Sequence, residues 1–379
     1  MGIFSGNKQT INLSKTQYEL INMDLSKNWV VQGGPGTGKT VLAIAMAEKL
    51  AKDGKKVLVI MYNRPLMQFV QQNYVEHENV KYDVMTYYSW IYSIYANILG
   101  CSMPTKTNRE PDWNRIEKTM GKLDLLYHTI IIDEAQDFPK ELIHILSMVS
   151  ENIIAFIDPN QIIQEGQFDV NSLLYELCEK APYSLTINYR NTREIGDAAK
   201  CFAEKRDDFC NVKHDNYPQL IYCSGNEDIF LEQTNIMGEI IRRHLGKSIG
   251  VIVNFKNLDR TLKNLREELG DIIEVEAYKS HTNKNELNFW KNNVKIVSFG
   301  TMKGLEFHVV IIPNIDLIRA TSSQKIDYHR MYVAMTRARE NLYMITTNIH
   351  TKTGKWAEIL SIIEDNPEYF KIIYDYFRK

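Results

Sequence analysis

No run of this sequence approaches the ~20 consecutive apolar residues that a helix needs to cross a bilayer. The opening MGIFSGNKQT lacks the apolar core of a secretory leader, and Gly6 stands where a myristoylation signal requires Ser or Thr. A cytoplasmic location with no membrane partner is the expectation. Cysteine is sparse, and Cys101, Cys178, Cys201, Cys210 and Cys223 form no C-x-x-C pair. That argues against a zinc ribbon or a disulfide framework and leaves free buried thiols as the expectation. Neither charge sign dominates, with 45 basic residues against 47 acidic ones. Any track for a polyanion is therefore a local stripe rather than a global field. No short repeat or low-complexity segment is present, which excludes solenoids.

What the chain does contain is a repeated alternation of apolar β-branched runs with helix-like segments, the pattern of an α/β protein with parallel sheets. Its 379 residues suggest two domains, by the rule of about 150 residues each. Strands are expected at 29–32, 57–61, 129–133, 153–157 and 184–187, then at 250–254, 295–299, 309–313 and 342–346. Helices are expected at 40–52, 140–149, 192–203 and 258–269. Residues 100–113, with two prolines, read as a surface loop or reduced insertion, and 207–226 read as irregular. A boundary near 182–193 divides the chain into domains 1–185 and 186–379.

Gly33-Gly34-Pro35-Gly36-Thr37-Gly38-Lys39-Thr40 fits G-x-x-x-x-G-K-[ST], between a short apolar strand and an alanine-rich helical stretch. Gly34, Gly36, Thr37 and Gly38 let backbone N–H groups turn inward on phosphate oxygens. Lys39 reaches the β and γ phosphates, and Thr40 ligates magnesium. A second apolar run, Thr129-Ile130-Ile131-Ile132, ends in Asp133-Glu134, 94 residues beyond Lys39. Paired acids at a strand end are as often a solvated loop. Joined to a phosphate loop, they read as a magnesium carboxylate, Asp133, and a general base, Glu134. ATP and Mg2+ follow as cofactors.

The spelling Asp133-Glu134-Ala135-Gln136-Asp137 resembles superfamily 1 helicases of the UvrD/Rep/PcrA-like branch, and further segments resemble that family in the same order. Gln17 lies 22 residues before Lys39, where the family's adenine-reading glutamine stands. Ile157-Asp158-Pro159-Asn160-Gln161 resembles the sensor segment, whose glutamine touches the γ-phosphate. Asn188-Tyr189-Arg190 resembles N-Y-R, implying adenine stacking by Tyr189 and a γ-phosphate contact by Arg190. Thr301 to Phe307 resembles T-x-K-G-L-E-F, whose glutamate, here Glu306, binds ribose. Tyr332 to Arg339 resembles Y-V-A-x-T-R-A, which makes Arg337 the arginine finger. The resemblance implies two tandem RecA-like domains with ATP in the cleft between them. The first carries a small insertion at about 91–125, and the second lacks its large insertion.

The same resemblance places Asn63 and Thr86 on nucleic-acid backbone, with Thr301 as a further contact. Tyr87, Tyr88, Trp90, Tyr92 and Tyr95 follow closely, and aromatic residues can stack bases without sequence preference. Alternatively Trp90, Ile91, Ile94 and Tyr95 pack one helix face into the core, the reading preferred for most of them. After Gln161 the chain reads Ile162-Ile163-Gln164-Glu165-Gly166, without the family's base-stacking aromatic and arginine run. The expected function is an ATP-dependent helicase or translocase on single-stranded or partly duplex DNA, with 3′→5′ polarity implied by the branch. One alternative is an ATPase subunit regulating a partner nuclease or effector, as in phage defence of the Gabija type. The other is an RNA helicase.

Overall fold

The computed structural model describes residues 13–74, 81–107, 110–159, 170–203, 216–225, 228–279, 287–315, 324–346, 357–374 and 376–377. Valine and isoleucine runs bounded by turns become strands, because branched side chains suit a pleated surface covered on both faces. In the first half these are β1 (Trp29–Gly33), β2 (Val57–Met61), β3 (Asp83–Thr86), β4 (Tyr127–Ile132), β5 (Ser150–Ile157) and β6 (Tyr183–Leu185). They form one parallel sheet in the order β3-β2-β4-β5-β1-β6. The second half supplies β7 (Gln219–Tyr222), β8 (Ile249–Val253), β9 (Val275–Ala277), β10 (Val294–Ser298), β11 (Phe307–Ile312), β12 (Ala338–Thr346) and β13 (Lys371–Ile373). These also pair in parallel, in the order β13-β7-β12-β11-β8-β10-β9. The chain divides into two units, Met1–Thr186 and Ile187–Lys379, with one sheet in each.

Alternation along the strands sorts the core of the first unit into two layers. Ile130 and Ile132 join Leu58, Ile60, Ile153 and Ala155 on one face of the sheet. Ile131 joins Val57, Val59, Ile154 and Phe156 on the other. Each fully buried aliphatic side chain contributes about 1.5–3 kcal/mol relative to exposure. Helix α1 (Lys15–Ile21) and helix α2 (Lys39–Lys52) cover the second face through Leu20, Leu42, Met46 and Leu50. Helix α3 (Arg64–Tyr74) follows β2, and helix α4 (Tyr87–Ser93) follows β3. Trp90, Ile91, Ile94 and Tyr95 are buried in the first layer, as the core reading of that segment expects. Ile116 and Met120, from the stretch read as an insertion, are buried in the same layer.

Two expectations need correction. Residues 207–226 are not irregular throughout: β7 lies within them and pairs with β12 and β13. Its partners are more than a hundred residues away, so no local pattern announces it. Among the described residues the cysteines form no disulfide, and they are not uniformly buried: Cys223 is buried, while Cys101 and Cys178 are exposed. Cys178 sits at a turn with φ +57°, beyond the end of a helix. Cys210 lies outside the described residues. Among the described residues no helix is long and apolar enough to cross a membrane.

Candidate nucleotide and nucleic-acid sites

Sheet order brings the chemistry of the first unit together. β5 lies between β1 and β4, so three neighbouring parallel strands deliver their following loops to one carboxyl edge. β1 runs into the phosphate loop, β4 into Asp133-Glu134, and β5 into Asp158. Gly38 closes the loop at φ +89°, and a Cβ there would stand 2.5 Å from Gln17 Nε2. Only glycine meets both demands. Gln17 is held by a capping box: Ser14 N–H donates to its Oε1 at 2.9 Å, and its own N–H donates to Ser14 Oγ at 3.2 Å. Its Nε2 then donates to Thr37 O at 3.0 Å, and Thr37 Oγ1 donates to Gly34 O at 2.9 Å.

Lys39 is buried, and its ammonium donates to Gly33 O at 2.8 Å, Gly34 O at 3.1 Å and Asp158 Oδ2 at 3.3 Å. Thr40 Oγ1 donates to Asp133 Oδ2 at 2.6 Å. Asp133 is fully buried, and its Oδ1 has no protein partner. Burial and the adjoining Glu134 carboxylate push Asp133 above the ordinary carboxylate range, against the Thr40 hydrogen bond and Lys39. An unpartnered carboxylate oxygen beside a threonine hydroxyl suits Mg2+, which takes one or two protein oxygens and completes its shell with phosphate and water. Among the described residues no cluster of three or more His, Cys, Asp or Glu side chains offers an all-protein cage.

Glu134 turns the chain at φ +58°, ψ 50°, an unfavourable backbone state for a residue with a Cβ. The turn redirects the chain into a single 3-10 turn, Ala135–Asp137. Gln136 Nε2 donates to Glu134 Oε2 at 2.6 Å, and Gln136 Oε1 accepts from Asp158 N–H at 3.0 Å. Neither Gln136 nor Asp158 stands out in sequence as a site residue. Gln161 lies outside the described residues.

The second unit gathers three distant segments. Asn188 accepts from Arg190 N–H at 2.8 Å and donates to Asn191 Oδ1 at 2.8 Å. Asn191 Nδ2 in turn donates to Thr336 O at 3.0 Å and Ala338 O at 2.5 Å. Arg190 Nε donates to Glu306 Oε2 at 2.7 Å, and Arg339 Nη1 approaches Glu306 Oε1 at 3.4 Å. Burial alone would raise Glu306, but Arg190 and Arg339 outweigh it and hold the carboxyl below its usual value. Arg337 is buried, donating from Nε to Val333 O (2.9 Å), from Nη1 to Leu305 O (3.3 Å) and from Nη2 to Thr336 Oγ1 (3.3 Å). Tyr189 is 43 % exposed. The sequence singles out neither Asn191 nor Arg339; the signal available for them is adjacency to Arg190 and Arg337.

Of the candidate nucleic-acid contacts, Asn63 lies just beyond β2 and Thr86 is the last residue of neighbouring β3, with Met61 opposite Thr86 in the β2–β3 register. Both also cap helices: Asn63 Oδ1 accepts from Leu66 N–H at 2.8 Å, and Thr86 Oγ1 from Ser89 N–H at 3.3 Å. Thr301 Oγ1 meets Ser298 Oγ at 3.1 Å in the second unit. The aromatic group divides. Tyr88 and Tyr92, one turn apart on α4, are 47 % and 65 % exposed. Tyr87 lies 4.3 Å from Tyr88 and stacks on Trp113 at 6.5 Å between ring centres.

Two parallel-sheet units, the first built around a phosphate loop and a strand-end carboxylate pair, define a tandem RecA-like architecture. The chain belongs to the family described as Schlafen group 3, DNA/RNA helicase domain, which matches residues 26–230, more than half its length. Residues 247–349 match the UvrD-like helicase C-terminal domain. Among solved structures it is similar to the C-terminal domain of a possible DNA helicase from Lactobacillus plantarum WCFS1. That match has 18% identity and a TM-score of 0.35, covering 48% of this chain and 98% of that one. No curated protein matches the sequence.

Proposed function

We propose that this protein is a magnesium-dependent ATPase that couples hydrolysis to 3′→5′ movement along single-stranded DNA. The observation that carries the reading is the convergence of Lys39 and Thr40 (after β1), Asp133 and Glu134 (after β4) and Asp158 (after β5) at the ends of three neighbouring strands. Lys39 leaves its loop carbonyls to neutralise the β and γ phosphates. Thr40 and Asp133 would hold Mg2+, which offsets charge on the phosphate oxygens. Glu134 orients the attacking water and accepts its proton. Gln17 and the loop residues Gly34, Gly36, Thr37 and Gly38 seat the nucleotide. Gln161, Tyr189, Arg190, Glu306 and Arg337 keep the roles that the resemblance implies.

Asn63, Thr86 and the exposed rings of Tyr88 and Tyr92 support a single-strand track at the carboxyl edge of the first sheet. Thr301 is the corresponding candidate in the second unit. A second reading, an ATPase subunit that gates a partner nuclease or effector, is favoured by the missing aromatic and arginine run after Gln161. The deciding experiment is steady-state ATP hydrolysis with single-stranded DNA, with single-stranded RNA and with neither, using Glu134→Gln as control. Stimulation by DNA that is lost in the variant supports the motor. Stimulation by RNA alone moves the substrate to RNA. Turnover indifferent to both overturns the motor and favours the gating subunit.

A further inference from the structure

We infer that Gln136 is a positioning residue for hydrolysis, holding the Glu134 carboxylate in register with the Lys39 ammonium through Asp158. The inference rests on the ATPase reading and extends it. Both ends of the Gln136 amide are committed: Nε2 to Glu134 Oε2 at 2.6 Å, and Oε1 to the Asp158 N–H at 3.0 Å. Asp158 in turn meets Lys39 at 3.3 Å. A chain of polar contacts thus runs from the base to the phosphate-loop lysine across the ends of β4, β5 and β1. Gln136, Asp158 and Ile132 are fully buried, and Glu134 and Lys39 nearly so, so water does not stand in for a lost link.

The amide is chemically suited to this place. It donates to a carboxylate without bringing a positive charge, so it orients Glu134 and leaves it basic enough to take a proton from water. An ammonium or guanidinium there would orient the same oxygen but weaken the base. The amide's other end accepts from the backbone one residue beyond β5 rather than from a side chain, which ties the orientation to the end of the sheet. A shift of the β5 end relative to β4 is thereby transmitted to the carboxylate.

A role limited to satisfying buried groups would require only that Asp158 N–H keep an acceptor. Two variants separate the possibilities. Gln136→Glu keeps that acceptor and sets a second carboxylate, in place of the amide donor, against Glu134, and Gln136→Met loses both groups. For each, kcat and KM for ATP are measured beside the Kd for a fluorescent ATP analogue and the thermal midpoint. The expected result is a kcat lowered ~10–100-fold in both variants, the range for losing an orienting partner. Analogue affinity stays within about threefold, because the change acts on hydrolysis and not on binding. A Gln136→Glu protein with wild-type kcat overturns the inference, as does a parallel loss of kcat and analogue affinity. Glu134→Gln is run alongside: full turnover in that variant would rule Glu134 out as the base, and absence of turnover in the wild type would overturn the ATPase reading, both distinguishable from failure of Gln136 alone.

Discussion

Thr40 Oγ1 donates to Asp133 Oδ2 at 2.6 Å, joining the first turn of α2 to the end of β4 across 93 positions. This contact holds together the threonine hydroxyl and the carboxylate that the proposed function assigns to Mg2+. Thr40→Val keeps the side-chain shape and removes the donor, while Thr40→Ser keeps the hydroxyl. The Val variant is expected to need more Mg2+ for half-maximal ATP turnover and to lose ~10–100-fold in rate. The Ser variant should stay close to wild type. An unchanged Mg2+ midpoint in the Val variant would refute the assignment.

The Lys39–Asp158 pair is buried on both sides. Removing one partner strands a charge, so Asp158→Ala should cost about 3–5 kcal/mol of stability. Urea denaturation reads the effect directly. A loss well under 1 kcal/mol would mean that the loop carbonyls alone hold Lys39.

Glu306 gives a pH dependence with a definite sign. Its folded pKa lies below the unfolded value of ~4.3, because Arg190 and Arg339 more than offset burial. The stability it contributes is fully present above the unfolded value and is lost as pH falls through the folded one. Glu306→Gln should therefore lower the thermal midpoint at pH 7, and the gap to wild type should close as acid protonates the wild-type carboxyl. A gap that persists undiminished into strong acid would show that charge is not what Glu306 contributes.

Arg337 donates three hydrogen bonds within its own unit. Arg337→Ala leaves buried acceptors unpaired and should cost about 2 kcal/mol of stability in addition to turnover. Denaturant titration and ATPase assays on the same preparation test this together. Turnover lost at wild-type stability would instead favour a finger acting on nucleotide alone.

Tyr88 and Tyr92 are the exposed members of the aromatic segment, and Trp90 is a core residue. Tyr88→Ala and Tyr92→Ala should each weaken single-stranded DNA binding by about 1–3 kcal/mol in fluorescence anisotropy. Wild-type affinity in both would remove α4 from the track.

Much of the architecture was legible along the chain. The strand at 57–61 and the helix at 258–269 have the limits their patterns imply, because each is a clean run between turn residues. β3, β7 and β13 have three or four residues each and carry no strand signal along the chain. A strand that short has too few alternations to signal itself, and its ladder partners come from elsewhere in the sequence.

The phosphate loop was determined by the sequence itself, because its chemistry is local: the glycines, the strand before them and the helix after them lie within one continuous stretch. The acid pair at the end of β4 was nearly as local, needing only an apolar run and its last residues. Which strands would be neighbours was a different matter. Placing β5 between β1 and β4 is what brings Asp158 to Lys39 and Gln136 to Asp158, and that order is settled by packing two layers of side chains over the whole sheet. The tertiary structure likewise turned Arg337 inward and set Arg190 on Glu306, since those contacts join residues that no sequence period relates.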